Sequence, residues 1–134
     1  MTKMQERLPP ITLTVADADR LDRLAAAAAD KFPRTAGFLA REIARANVVE
    51  PLRVPPGIVG MGSTVDYRDD ATGETRTVTV VYPDEADLTA GKISVLSPVG
   101  TALIGLSVGQ SIEWQAPTGS RRSLTVLRAD LAGA

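Results

Sequence analysis

The sequence contains no cysteine and no histidine, and each absence excludes whole classes of function. Without cysteine there is no disulfide, thiolate nucleophile, iron–sulfur cluster or cysteine-ligated zinc. Without histidine, zinc–histidine sites and Ser-His-Asp triads are excluded as well. Any catalysis would therefore have to use carboxylates, lysine, tyrosine or hydroxyl groups.

Long apolar runs and an excess of one charge are also missing. No apolar run approaches the roughly 18 residues of a membrane span, and the N-terminus lacks the apolar segment of a secretory signal. We therefore expect a cytoplasmic protein. The 15 basic and 16 acidic side chains leave a formal charge of −1. Because nucleic-acid binding normally needs a basic surface, we expect direct nucleic-acid binding to be weak or indirect.

The first part of the 134-residue chain is helical in pattern. Residues 1–10 lack periodicity and are expected to form a flexible tail. Over 11–50, Thr14 has the spacing of an N-cap for a first helix of about 16 residues, or about 24 Å. Pro33 ends that helix, and Thr35 can cap a second one. Two helices joined by a short link run antiparallel, so the pattern predicts a hairpin, a short coiled coil. The apolar side chains expected to hold it together are Leu21, Leu24, Phe38, Leu39 and Ile43.

Residues 51–134 have the character of a small β-sheet domain. Prolines separate them from the hairpin, and β-branched residues then alternate with polar ones. The alternation places Val65 and Tyr67 on one buried face. A short helix is predicted at 101–106. The predicted strands cover 63–68, 75–82, 93–96, 111–115 and 122–127.

Three clusters have both a functional and a structural interpretation. The carboxylates in the segment 84–87 (Asp84, Glu85 and Asp87) could hold Mg²⁺ or Ca²⁺, but their spacing matches no EF-hand and favours a solvated loop. The glycines in 57–62 occur in the wrong order, and before a strand, for a dinucleotide fingerprint. The Arg121-Arg122 pair could contact a phosphate or an acidic partner, although a solvated turn is the simpler interpretation. We expect no metal and no cofactor.

An ordered set of short motifs resembles one known family. The most unusual is Ser97-Pro98-Val99-Gly100, which combines a proline and a glycine in an apolar context. With the motifs around it, this segment resembles the C-terminal FKBP-like domain of the bacterial Gre transcript-cleavage factors over roughly 58–130. The front half, with Val48-Val49-Glu50-Pro51 after the helices, is similar to the nucleoside diphosphate kinase regulator (Rnk) branch of that superfamily. The other motifs are Gly62-Ser63, Thr72-Gly73-Glu74, Gly91-Lys92-Ile93-Ser94, Val108-Gly109 and Ala116-Pro117.

The resemblance implies an α+β fold, in which a short N-terminal antiparallel helical hairpin precedes an FKBP-like β-sheet domain with one short helix. It also implies a partner, RNA polymerase. In Gre factors the FKBP-like domain docks on the β′ subunit coiled coil near the mouth of the secondary channel. The residues that match the docking region are Ser97, Pro98, Val99 and Gly100.

The hairpin tip departs from the Gre pattern. Gre factors present a pair of acids there to a catalytic Mg²⁺, whereas this tip has Asp30 beside Lys31 and Arg34. A metal needs oxygen ligands held close together, so we expect no stimulation of transcript cleavage. The chain is then expected to be a monomeric, non-enzymatic regulator that binds RNA polymerase and competes with Gre-type factors. Too few aromatic residues are present to predict a prolyl-isomerase pocket.

The name of the branch suggests an alternative of another class. The chain could regulate nucleoside diphosphate kinase, or nucleotide pools, through protein–protein contact. No residue pattern in the sequence supports that activity independently of the name.

Overall fold

The computed structural model describes residues 8–115 and 118–130, in which a helical hairpin packs against a five-stranded sheet. The predicted α+β class is confirmed. No helix in these two ranges is long and apolar enough to cross a bilayer. In chain order the elements are β1 (Thr12–Thr14), α1 (Val15–Ala28), α2 (Pro33–Arg45), β2 (Asn47–Val49), β3 (Thr64–Asp69), β4 (Thr75–Val81), β5 (Lys92–Ser94), α3 (Pro98–Leu103), β6 (Ser111–Gln115) and β7 (Arg121–Asp130), with short 3-10 turns at Pro51–Arg53, Pro83–Glu85 and Leu88–Ala90.

The hairpin begins as its N-cap predicts. Thr14 Oγ1 accepts a hydrogen bond from the backbone N–H of Asp17 at 3.0 Å, and α1 starts directly after it. The prediction for α2 is wrong at its start, because that helix begins at Pro33 rather than after a Thr35 cap. Proline suits the first helical position, since its fixed φ is helical and it has no N–H to leave unsatisfied. The 14 residues of α1 span about 21 Å, slightly less than predicted.

The base of the hairpin is a parallel pair of strands, where the sequence predicted no strand. In this pair Thr12 lies opposite Asn47, and Leu13 lies opposite Val48. The backbone N–H of Thr12 also donates to the carbonyl of Gly105 at 3.0 Å, which ties β1 to the chain beyond α3. The strands are three residues long and depend on that distant contact, so no local periodicity could have shown them.

A buried ion pair anchors the start of the described chain. Glu42 is only 2% exposed, and both its carboxylate oxygens accept hydrogen bonds from Arg45, at 2.9 and 2.7 Å. The same guanidinium donates to the backbone carbonyl of Pro9. Pro9, within the predicted flexible tail, is therefore bound to α2, while residues 1–7 lie outside the described residues.

The sheet has the order β5-β4-β3-β7-β6, with β4 and β5 parallel and the other neighbours antiparallel. All five predicted strands are present, displaced by up to three residues at their ends. A bulge shifts the register of β7 against β3, so that Asp66 lies opposite Arg128 and Tyr67 opposite Val126. The extra residue, Leu127, is 40% exposed, because the bulge turns it away from the core.

One hydrophobic core connects the hairpin with the sheet. It contains Leu21 and Leu39 from the two long helices as well as Leu103 from α3 and residues of the central strands. Leu24 and Ile43 pack against this core from partly buried positions, as predicted, whereas Phe38 is half-buried and does not belong to it. The division into a hairpin at 11–50 and a domain at 51–134 stays a prediction.

Candidate partner-binding site

The segment Ser97–Gly100 is the first turn of helix α3 rather than a loop, which corrects the sequence prediction of a helix at 101–106. The Ser97 hydroxyl accepts from the Gly100 N–H at 3.1 Å and donates to the carbonyl of Ser94 at 2.6 Å. Pro98 occupies the first helical position. A serine N-cap followed by proline is a strong start signal, and it moves the helix three residues towards the N-terminus.

Gly100 is buried because the chain passes too close for any side chain. A Cβ at this position would lie 2.2 Å from the backbone oxygen of Ser94. Ser97 and Gly100 are therefore needed to form the turn. Ser97 is partly exposed, and its contact with a partner stays a prediction. Val99, the third of the four predicted docking residues, lines a cavity.

That cavity, of about 280 Å³, lies between the first turn of α3 and one face of the sheet. Strand β3 contributes Tyr67, β6 contributes Trp114 and β7 contributes Leu124, opposite Val99. Two of the chain's five aromatic side chains thus share one cavity. Four of the eight lining residues are apolar or aromatic and the other four are charged, so the cavity suits a partner side chain with an apolar body in polar surroundings.

Charged side chains line the rim of the cavity in oppositely charged pairs. Arg122 bonds Asp69 at 2.7 Å, and Arg76 bonds Glu74 at 3.2 Å. Burial raises the pKa of the Tyr67 hydroxyl, with only partial opposition from the charge of Arg76, so the phenol stays neutral. Because the rim charges cancel and the floor is neutral, the cavity has no preference for a phosphate or another anion.

The remaining clusters seen in the sequence lie apart from this cavity or belong to its rim. Arg121 bonds Glu113 at 3.5 Å, and Arg122 belongs to the rim, so both arginines are paired within the sheet. The carboxylates of residues 84–87 are exposed, and Asp87 accepts hydrogen bonds from Thr89 as the N-cap of a 3-10 turn. Within the described ranges, no three acidic side chains are grouped so that they could hold a metal ion.

The hairpin tip lies at the opposite end of the helices from β1 and β2. Asp30, Lys31 and Arg34 are all exposed there, in and next to the turn that joins α1 to α2. The tip thus has one acid and two bases, and the acid pair of the Gre pattern is absent from it.

The sequence predicted Val99 as a site residue but did not predict the other residues that line the cavity. Alternation along β3 had placed Tyr67 on the buried face, and Trp114 lies at a corresponding inward position on β6. The pairing of β3 with β7, and of β7 with β6, brings these side chains together. Strand order is a tertiary property, so alternation within each strand could not have revealed the cavity.

Comparison with known proteins defines the class of this fold. The family model for the C-terminal part of the transcription elongation factors GreA/GreB matches residues 54–130. GreA of Rhodospirillum rubrum is 47% identical over 77 residues, which cover 58% of this chain and 49% of that protein. A solved GreA/GreB transcription elongation factor from Nitrosomonas europaea superimposes with a TM-score of 0.71 at 40% identity, covering 90% of this chain and 98% of that one.

The N-terminal segment narrows the assignment within this Gre-type class. The family model for the Rnk N-terminus matches residues 9–49. The "Regulator of nucleoside diphosphate kinase" of Escherichia coli is 38% identical over 122 residues, which cover 91% of this chain and 90% of that protein. The chain therefore belongs to the Rnk family of Gre-type transcription factors, as the sequence motifs had predicted.

Proposed function

We propose that this protein binds RNA polymerase near the mouth of the secondary channel and competes there with Gre-type factors. The observation that carries the proposal is the cavity beside Val99, which lies within the segment matched by the GreA/GreB family model. It combines four apolar or aromatic side chains with two pairs of opposite charges, the pattern of a site that takes one anchoring side chain of a protein partner. The β′ subunit coiled coil is the proposed source of that side chain.

The proposal excludes stimulation of transcript cleavage. A second metal ion in a polymerase active site needs at least two carboxylates close together, and the tip offers only Asp30. The 21 Å length of α1 also limits how deep the hairpin reaches. The protein therefore acts as a non-enzymatic monomer that occupies the docking position of a Gre factor in the cytoplasm, without supplying its chemistry.

A competition experiment tests this proposal. Purified polymerase core enzyme is titrated with the labelled protein, and unlabelled GreA is then added as a competitor. The variant Val99→Glu places a charge against the cavity, and its helix should persist because an acid is favourable in the first turn. The arginines of the cavity are already paired with Glu74 and Asp69, so the new carboxylate would be buried without a partner of its own and binding should weaken at least tenfold.

The matched control is Val108→Glu, which makes the same change at a 48% exposed valine outside the cavity. Its affinity for polymerase should equal that of the wild type. The proposal is wrong if the wild type does not bind polymerase or if GreA does not displace it. The cavity is not the docking site if Val99→Glu binds as tightly as the control while remaining folded.

The alternative of nucleoside diphosphate kinase regulation has no structural observation in its favour. It comes from the name of the relatives, and neither the cavity nor the tip has chemistry specific to a kinase surface. Adding the protein to a purified nucleoside diphosphate kinase and measuring phosphoryl transfer should show no change in rate.

A further inference from the structure

The turn between α1 and α2 exposes an aromatic ring between two cations. Phe32 is 55% exposed, and Lys31 and Arg34 on either side of it are exposed as well. Neither cation forms an ion pair with Asp30 or with any other carboxylate in the described part of the chain. A single exposed apolar side chain is common on protein surfaces, and Leu52 and Leu88 are more exposed than Phe32. What distinguishes this turn is the ring together with two cations that form no ion pair in the described ranges.

The backbone holds this ring in a defined position. The N–H of Phe32 donates to the carbonyl of Ala28 at 2.8 Å, and its carbonyl accepts from the N–H of Ala36 at 2.8 Å. Pro33 follows as the first residue of α2 and has a fixed φ. The turn is thus organised before any partner arrives, so binding through Phe32 costs little ordering of the backbone.

The electrostatics of the tip favour an acidic partner. The first turn of α2 contains no acid, and no side chain caps it. The N-terminus of α2 and the C-terminus of α1 meet at this turn, so their opposite dipole ends largely cancel. The local charge is therefore that of Lys31 and Arg34 against Asp30. This local excess stands out in a chain whose formal charge is −1.

We infer that the tip docks on an acidic protein surface, with Phe32 filling an apolar depression and with Lys31 and Arg34 paired to carboxylates around it. The inference rests on the proposed function, because the surface in question belongs to the polymerase to which the cavity anchors the protein. The tip would be a second contact with polymerase, at the end of the hairpin away from β1 and β2. Its cations would bind carboxylates, whereas the acids of a metal-binding tip bind a cation.

A protein surface explains the tip better than a nucleic acid does. Single strands are bound in a basic groove that follows the backbone, with several aromatic rings for successive bases. Here one ring and two cations sit on a convex turn, and the preceding Ala25–Ala29 carries no charge at all. A protruding aromatic flanked by cations is instead the form of a protein–protein anchor with electrostatic steering.

The test compares four proteins for affinity to polymerase core enzyme: the wild type, Phe32→Ala, the double variant Lys31→Glu/Arg34→Glu, and the control Arg41→Glu. Arg41 is an exposed arginine on the same helix, without an ion pair in the described ranges and two turns from the tip. Because the tip residues are exposed, all four proteins should share one thermal midpoint. A single-stranded RNA oligonucleotide is titrated in parallel.

Phe32→Ala should weaken polymerase binding about tenfold. The double charge reversal should weaken it more than about tenfold at roughly 0.05 M salt, and its effect should shrink at about 0.3 M because exposed charges are screened. Arg41→Glu should change the affinity less than about twofold.

The outcomes separate this inference from the proposed function. If the wild type binds polymerase and all three variants match it, the tip is not a contact and the cavity proposal stands. If the wild type does not bind polymerase, the proposed function is wrong and this inference falls with it. If the tip variants lose affinity for the RNA oligonucleotide as well, the assignment to an acidic protein surface is overturned.

Discussion

The substitution Gly100→Ala should destabilise the protein through a steric conflict at the start of α3. The new Cβ would lie 2.2 Å from the Ser94 carbonyl oxygen, and 3.0 Å from both the carbonyl carbon of Ser94 and the Ser97 hydroxyl oxygen. Two of these atoms are rigid backbone, so the helix itself must move. The movement would also break the cap, since the Ser97 hydroxyl accepts from the Gly100 N–H.

The magnitude follows from these two effects. Forcing an extra methyl group into a packed region costs about 1–3 kcal/mol, and loss of a serine cap adds about 1 kcal/mol. The free energy of unfolding should therefore fall by about 2–4 kcal/mol, which corresponds to a decrease of about 10 °C in thermal midpoint for a chain of this size. Circular dichroism during urea and thermal denaturation measures both quantities.

The matched control is Gly37→Ala, the same substitution in the interior of α2. There the Cβ would meet only the end of the Arg41 side chain, at an ordinary 3.6 Å. Alanine is the better helix former by about 0.5–1 kcal/mol, so this variant should be slightly more stable than the wild type. Equal midpoints for the two variants would refute the argument from close approach at Gly100.

Three further predictions concern the core, the pH dependence and the chemistry. Leu39→Ala should lower the free energy of unfolding by about 2–5 kcal/mol, and Ile43→Ala should lower it by less, because Leu39 is fully buried and Ile43 only partly. If urea denaturation gives an unchanged midpoint for both variants, this face of the helix lies outside the core. Burial alone raises the pKa of Asp70, but hydrogen bonds from Ser123, Thr125 and Arg68 outweigh it and lower that pKa below the ordinary 3.8. The carboxylate therefore stabilises the fold above about pH 4, and this contribution is lost as the pH falls through the lowered pKa. On acidification, the urea midpoint of Asp70→Asn should therefore fall less steeply than that of the wild type. In stalled polymerase complexes, the protein should not accelerate Mg²⁺-dependent transcript shortening, and it should slow the shortening that GreA stimulates. Faster cleavage with the protein alone would contradict the inference that the tip lacks the acids needed for cleavage.

The failed local predictions have two physical origins. The helix predicted at 101–106 lies three residues too far along the chain, because the Ser97 cap and Pro98 start it locally. The other two errors depend on contacts with distant residues. The tail at residues 1–10 was expected to be free, since nothing near Pro9 indicates that an arginine 36 residues away will bind its carbonyl. Likewise, β1 has helical neighbours on one side and becomes a strand through its pairing with β2 and Gly105.

The sequence by itself determined the features that depend on neighbours in the chain. The Thr14 cap, the antiparallel hairpin, the alternation of five strands and the acid-poor tip all follow from local spacing, because helix capping and strand alternation act over a few residues. Its ordered motifs also predicted the family. Only the tertiary structure decided the order of the strands, and with it the cavity that joins Tyr67, Val99 and Trp114. Side chains far apart in the chain meet only when β3, β6 and β7 pair, and that pairing is selected by the burial of the whole core rather than by any short segment.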